Sequence, residues 1–189
     1  MKVSYLITCC TETKTLENLL YRVFGAIDEH NDEIILLIDS KHPIVLDDIY
    51  PTDGSIKEET ASIIYNYSNY KNVKIISHPL ENNYGTHKNF GIENCKGDFI
   101  FQIDGDELPT ENIIGKNLHT IIENNPDIEA FAVPRINDFK GVTQEHAKRW
   151  GWRLTPSTSI IHEKTIDTNS EEYKFLKNEG YILEETEIH

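Results

Sequence analysis

Gly97-Asp98-Phe99-Ile100-Phe101-Gln102-Ile103-Asp104-Gly105-Asp106-Glu107-Leu108-Pro109 is the stretch whose reading decides the fold. A turn-forming glycine opens it. Phe99, Phe101 and Ile103 then alternate with Asp98, Ile100 and Gln102 in a run rich in β-formers, which predicts a short buried strand. The strand gives way to three carboxylates, Asp104, Asp106 and Glu107, with Gly105 between the first two. Pro109 bars continuation as a central strand. Carboxylates crowded in this way stay ionised only with a compensating cation or with full solvation. An Asp-x-Asp at the carboxyl end of a strand suits Mg²⁺ or Mn²⁺, a hard ion that takes oxygen ligands and shares its remaining sites with substrate phosphates. The same residues also fit a solvated acidic turn that leads into a helix.

Working outward, residues 3–8 read as a first strand. Thr11 or Thr13 is placed to cap a helix in which Leu16, Leu19, Leu20, Val23, Phe24 and Ile27 recur at helical spacing. Residues 33–39 form a near-continuous apolar run closed by Asp39, the pattern of a parallel strand covered on both faces. Residues 40–55 read as loop, and 56–67 as a second helix with Ile63, Ile64 and Tyr67 inward. A third strand spans 72–77. The turn formers of 78–85 follow, and then a short helix capped by Thr86 and running to Cys95. Beyond the acidic turn, 113–123 reads as a helix stopped by Asn124, Asn125 and Pro126, and 130–134 as a fifth strand. Strict β-α alternation predicts an open, mostly parallel α/β sheet with helices on both faces. After residue 135 the pattern loosens. Residues 157–162 suggest one more strand, and 170–178 a helix ended by Gly180.

Composition narrows the class. The chain has 189 residues, 38% hydrophobic and 26% charged, enough for one folded domain with a core. A formal charge of −14 argues against a sequence-independent grip on nucleic acid, and against docking on an anionic membrane. The longest apolar runs, such as 34–38, are too short to span a bilayer. The first residues read directly as a strand, with no secretory signal. Three cysteines, two of them adjacent, make no disulfide framework, so the expectation is free thiols in a reducing cytoplasm.

In an open α/β sheet, ligands bind beyond the carboxyl ends of the strands, where strand order reverses. That rule gathers residues 8–12, Asp39, residues 82–88 and residues 104–107 at one edge. A nucleotide bound there needs an acceptor for its base, such as Asp39, and a cation at its diphosphate. Asp104 and Asp106 can hold that cation, and Lys88 adds a fixed positive charge. With strands one and two before them, Asn83-Tyr84-Gly85-Thr86-His87-Lys88-Asn89-Phe90-Gly91 and the Gly97–Glu107 segment resemble a family 2 glycosyltransferase of the GT-A fold. The most specific part is an Asn-x-Gly…Lys-Asn-x-Gly segment followed shortly by Gly-Asp, an apolar run and Asp-x-Asp-Glu.

The resemblance implies inverting transfer of a sugar from a nucleotide-diphospho-sugar donor to an acceptor hydroxyl. It also implies a single GT-A-like domain over 1–189, with 1–135 as the nucleotide-sugar-binding part and 136–189 as a shortened acceptor part. Thr8, Asp39, Asn83, Gly85, Lys88 and Asp104 become the expected nucleotide-sugar contacts. Asp104 and Asp106 become the Mn²⁺ or Mg²⁺ ligands, the second binding directly. The acidic cluster usual after strand two is reduced here to Asp39-Ser40. Lys88 stands where arginine is frequent, so a bidentate phosphate contact is not available. The catalytic base expected after strand five falls to Asp138 or Glu145, neither within a matching motif. Arg149-Trp150 lacks the glutamine of the processive Gln-x-x-Arg-Trp signature, since His146 occupies that position.

His162 is open to two readings, a late metal ligand or a surface histidine at a strand end. Trp150 and Trp152 fit stacking on a sugar or packing against the sheet. Cys9 and Cys10 read as packing, and His78 as loop structure. The acceptor, whether glycan, lipid, protein or modified base, stays open. Two other readings stand beside the transferase: a GT-A-like domain that binds a nucleotide or sugar without turnover, and a nucleotidyltransferase of similar fold. Thr8-Cys9-Cys10-Thr11-Glu12 has no glycine, lysine or arginine with which to cradle a triphosphate, which disfavours the last.

Overall fold

A computed structural model of the chain describes residues 1–10, 12–27, 31–39, 56–134 and 158–163, together with residues 169, 171 and 174; at 56–59 and 158–163 it describes the backbone only. The elements are β1 (Val3–Cys9), α1 (Lys14–Ala26), β2 (Glu33–Asp39), α2 (Ile56–Ser68), β3 (Val73–His78), α3 (Tyr84–Asn94), β4 (Phe99–Asp104), a 3₁₀ turn (Glu111–Ile113), α4 (Gly115–Glu123), β5 (Ala130–Pro134) and β6 (Thr158–Glu163). They build one six-stranded sheet in the order β3-β2-β1-β4-β6-β5. The first four strands are mutually parallel, and β6 runs antiparallel to both its neighbours, β4 and β5. The open, mostly parallel sheet expected from the alternation is therefore present. Strand order reverses between β1 and β4.

Both faces of the central strands are covered, which is why β2 reads as an unbroken apolar run. On one face Tyr5, Ile7, Leu36 and Phe101 pack with Leu16, Leu20 and Val23 of α1, Ile64 of α2 and Leu118 and Ile122 of α4. On the other, Leu6, Ile35, Leu37 and Ile100 pack with Phe90 and Ile92 of α3. Period-two alternation along β1 sends Tyr5 and Leu6 to opposite layers. Gly91 lets α3 lie flush on the sheet, since a Cβ there would sit 2.7 Å from Leu6 Cδ1 and 3.0 Å from Leu37 Cδ2.

The amino edge of the sheet is tied by carboxylates. Asp32 accepts from the Val3 amide at 2.9 Å and from His119 Nε2 at 3.0 Å, all within the interior. Glu33 accepts from Ser4 Oγ at 2.7 Å, from Lys2 Nζ at 3.0 Å and from the Lys96 amide. Burial alone would raise its pKa, but these bonds outweigh burial and hold it below the ordinary value. Gly97 donates to Ser4 Oγ at 2.8 Å, and Asp98 accepts from the Lys2 amide at 2.8 Å. A Cβ on Gly97 would meet the Ser4 nitrogen at 2.5 Å, so only glycine starts β4 in this register. That register carries β4 to its end at Asp104, opposite Thr8.

Several local expectations are corrected. The cap of α3 is Asn83, whose Oδ1 accepts from the Thr86 amide at 3.0 Å; Thr86 supplies the donor, not the cap. Thr13 holds the N-cap position of α1 without a side-chain bond, and Thr11 lies outside the described residues. The helix expected from residue 113 is split: the 3₁₀ turn ends at Ile113, Ile114 is extended, and α4 begins at Gly115, whose left-handed φ of 54° interrupts a continuous helix. Most of the expected 170–178 helix lies outside the described residues.

Candidate active site at the carboxyl edge

Because β1 to β4 are parallel, the segments that follow them all emerge at one edge. The register pairs Thr8 with Asp104 across β1–β4, and Asp39 with His78 across β2–β3. The acidic turn after β4 is braced from two sides. The Gly105 amide donates to the Thr8 carbonyl at 2.8 Å. Glu107 closes the turn on itself, its amide donating to the Asp104 carbonyl at 2.9 Å while its Oε2 accepts from the Asp104 amide at 3.0 Å. The third acidic residue thus shapes the turn that presents the first two. Asp106 is exposed at its tip, and Asp104 is half-buried.

Lys88 comes to the same turn from the other side. Asn83 caps α3, the Asn83 amide donates to the Leu80 carbonyl at 2.8 Å, and Gly85 lies buried in the first turn of the helix. Lys88, one turn in, reaches Asp104 Oδ1 with its Nζ at 2.9 Å. Asp39, at the end of β2, accepts from the Leu80 amide at 2.9 Å, so its carboxylate orders the loop after β3. Thr8, Asp39, Asn83, Gly85, Lys88, Asp104 and Asp106 are therefore brought to one edge, on the elements where they were expected. His162 is not brought to the acidic turn. Antiparallel β6 pairs it with Ile100, four residues before Asp104, roughly 13 Å away along the strand. The backbone register thus sets His162 apart from the turn that carries Asp104 and Asp106, because β6 runs the opposite way from β4. Asp138 and Glu145, like Trp150 and Trp152, lie outside the described residues.

The bonding of Glu12, within the 8–12 segment expected at this edge, and the burial of His87 escaped sequence reading. Glu12 reaches back to the site, its Oε2 accepting from the Cys10 amide at 2.6 Å; a Cβ on Gly105 would meet that same oxygen at 3.2 Å. His87, only 1% exposed, lies under the edge beside His78, with ring centroids 5.6 Å apart, and Phe90 stacks on His78 at 4.5 Å. Among the described residues, the buried Nδ1 atoms of both rings have no hydrogen-bond partner. Burial first, and then His78, push the His87 pKa below its ordinary value, against an opposing pull from Asp39. The one available signal was a histidine within the 83–91 run, where its neighbours carried the motif. Burial, reinforced by Glu12 and Asp39, pushes the Cys10 thiol up to about 11, which fits a packing role rather than a nucleophile. All three cysteines are free thiols.

Among the described residues, no group of three or more His, Cys, Asp or Glu side chains could by itself hold a metal ion. Asp104 and Asp106 offer oxygen donors only, with Asp106 open to solvent. Such a pair fits Mg²⁺ or Mn²⁺ of the kind that keeps waters and takes its other ligands from a diphosphate, rather than an ion in an all-protein cage.

The open, mostly parallel sheet with its strand order reversing between β1 and β4 is that of a GT-A domain. The model of glycosyl transferase family 2 matches residues 4–175, and the chain belongs to that family. No curated protein matches the sequence. Among solved structures, TarS of S. aureus, residues 1–349, is similar with a TM-score of 0.59 and 18% identity over 95% of this chain and 49% of that one. The same protein in complex with UDP-GlcNAc gives 0.58 and 18% over 95% and 47%. The 4-diphosphocytidyl-2C-methyl-D-erythritol synthase of Anaerococcus prevotii gives 0.51 and 14% over 98% and 77%. These likenesses show the fold. The chain spans about half the length of the TarS chains it matches. No described helix is long and apolar enough to cross a membrane.

Proposed function

We propose that this chain transfers a sugar, with inversion, from a nucleotide-diphospho-sugar to an acceptor hydroxyl, in a reaction dependent on Mn²⁺ or Mg²⁺. The observation that carries the reading is the Lys88–Asp104 contact of 2.9 Å at the tip of β4, beside exposed Asp106, in a chain of this family. A cation and two carboxylates at that edge would suit a donor diphosphate and its metal. TarS, which shares the fold, has been solved with UDP-GlcNAc, which makes a uridine diphosphate sugar the first donor to try.

Asp39 would accept from the nucleobase, and Lys88 would bind phosphate as a point charge. Asp104 and Asp106 would hold the metal, which when bound neutralises charge on the diphosphate leaving group. A carboxylate from the acceptor part would take the proton of the attacking hydroxyl as it displaces the nucleoside diphosphate at the anomeric carbon. Asp138 is favoured over Glu145 because it follows Pro134, the last residue of β5, by only a few positions. A cytoplasmic location and a single domain, with residues 1–135 for the donor and 136–189 for the acceptor, complete the proposal.

The test separates binding from turnover. Asp106→Ala should abolish Mn²⁺-dependent nucleotide binding with little loss of fold, and Asp104→Ala should weaken it less; calorimetric affinities unchanged in both would end the metal assignment. Asp138→Asn should keep donor affinity and lose about 10²–10⁴ in transfer rate. Full rate in both Asp138→Asn and Glu145→Gln would remove both bases. Donor binding with no transfer or hydrolysis by the unmodified chain would favour a binding domain.

A further inference from the structure

Lys88 and Asp104 neutralise one another at 2.9 Å, in a site whose proposed ligands include a divalent cation and a diphosphate. A cation approaching Asp104 meets an ammonium already on that carboxylate. On leaving, the ammonium goes to water or, more favourably, to another anion within reach of the same lysine stem. A donor diphosphate at the edge is such an anion. We infer that Lys88 is the resident counter-ion of Asp104, and that its transfer to the diphosphate couples metal binding to nucleotide binding.

The surroundings fix one partner and leave the other free to move. Asp104 is held by backbone on both sides: Gly105 bonds to Thr8, and Glu107 grips the Asp104 amide and carbonyl. Lys88 sits on a helix whose first turn is capped by Asn83, but its own side chain is a flexible stem. The side chains are 22% and 38% exposed, so solvent screens the pair and a swap of partner is accessible. Coupling between two ligands through such a contact is reciprocal and falls in the range of roughly 5–150-fold. Partial exposure puts this one near the lower end, on the order of tenfold. Lys88 is then a positioning residue for the metal, in addition to any contact it makes with the donor. The inference rests on the metal assignment proposed above.

The experiment is a Mn²⁺ titration of the full chain, followed by calorimetry and by the electron paramagnetic resonance of free Mn²⁺, with and without UDP. Lys88→Met and Lys88→Gln remove the charge, Lys88→Arg keeps it, and melting curves establish that each variant is folded. Without nucleotide, both neutral variants should bind Mn²⁺ about tenfold more tightly than the unmodified chain. UDP should tighten Mn²⁺ binding in every variant through its own phosphate oxygens, and by about tenfold more in the unmodified chain and Lys88→Arg than in the neutral variants. A purely structural lysine would not raise metal affinity on removal. Neutral variants that bind Mn²⁺ no more tightly than the unmodified chain overturn the inference, and leave the metal site standing if UDP-dependent Mn²⁺ binding persists. Failure of every protein to take up Mn²⁺, with or without UDP, overturns both.

Discussion

Gly97 has no room for a side chain. A methyl group there would press on the Ser4 nitrogen and Oγ, at 2.5 and 2.7 Å, where backbone cannot easily give. Gly97→Ala should cost about 1–3 kcal/mol, read as a lower urea midpoint at constant slope; an unchanged midpoint would mean that the β1–β4 register tolerates the shift. At His87 the consequence is a pH dependence. Its folded-state pKa lies below the ordinary 6.5, so the unfolded chain takes up the proton first as pH falls. The stabilisation is complete above 6.5 and is lost as pH drops through and below that value. Glu33, also lowered, adds loss on the acid side of its ordinary 4.5. Melting temperature should therefore decline from about pH 6.5 downward, and His87→Gln should flatten the upper part of that decline. A variant with the same slope would clear His87 of the effect. At this scale the acidic residues were legible because short carboxylate spacing carries its own electrostatic problem. His87, Glu12 and the His119–Asp32 pair were not, since burial of a lone polar residue leaves no mark on local pattern.

The proposed donor side of the site is held largely by α3. Asn83→Ala removes the acceptor for the Thr86 amide at 3.0 Å and should cost about 1 kcal/mol of stability. Because Lys88 lies on the second turn of the same helix, the variant should also weaken nucleotide binding, a pairing that calorimetry and thermal melts together detect. Lost stability with full nucleotide affinity would show that Lys88 does not depend on the cap. Elements with strong periodicity, β1, α1, β2 and β4, were readable almost to their ends, since alternation or helical spacing follows directly from which faces are buried. The start of α3 was harder to place. Asn83 and Thr86 are both good capping residues, and their roles are decided by backbone geometry at Asn83, with φ −119° and ψ 89°.

Across the whole molecule, the far edge of the sheet stabilises what the near edge uses. Asp32→Ala would leave His119 Nε2 and the Val3 amide without this acceptor in the interior, at a cost of about 3 kcal/mol in chemical denaturation, without touching the site. Equal stability would mean that the pair is satisfied elsewhere. The layered α/β plan was legible because each βα unit is local in sequence. The placement of β6 was not: pairing across long separations depends on which strand edge is left open, and no short stretch encodes that. The placement also sets an order of assembly. β1 to β4 can pair as soon as the first 104 residues of the chain exist, whereas β5 is hydrogen-bonded into the sheet through β6, and β6 joins by matching Phe99 with Glu163. Long loop closure makes such contacts slow. A chain leaving the ribosome would thus complete the carboxyl edge of β1 to β4 while β5 still waits for β6, and pulse-labelled amides should gain protection in β1 to β4 before β5.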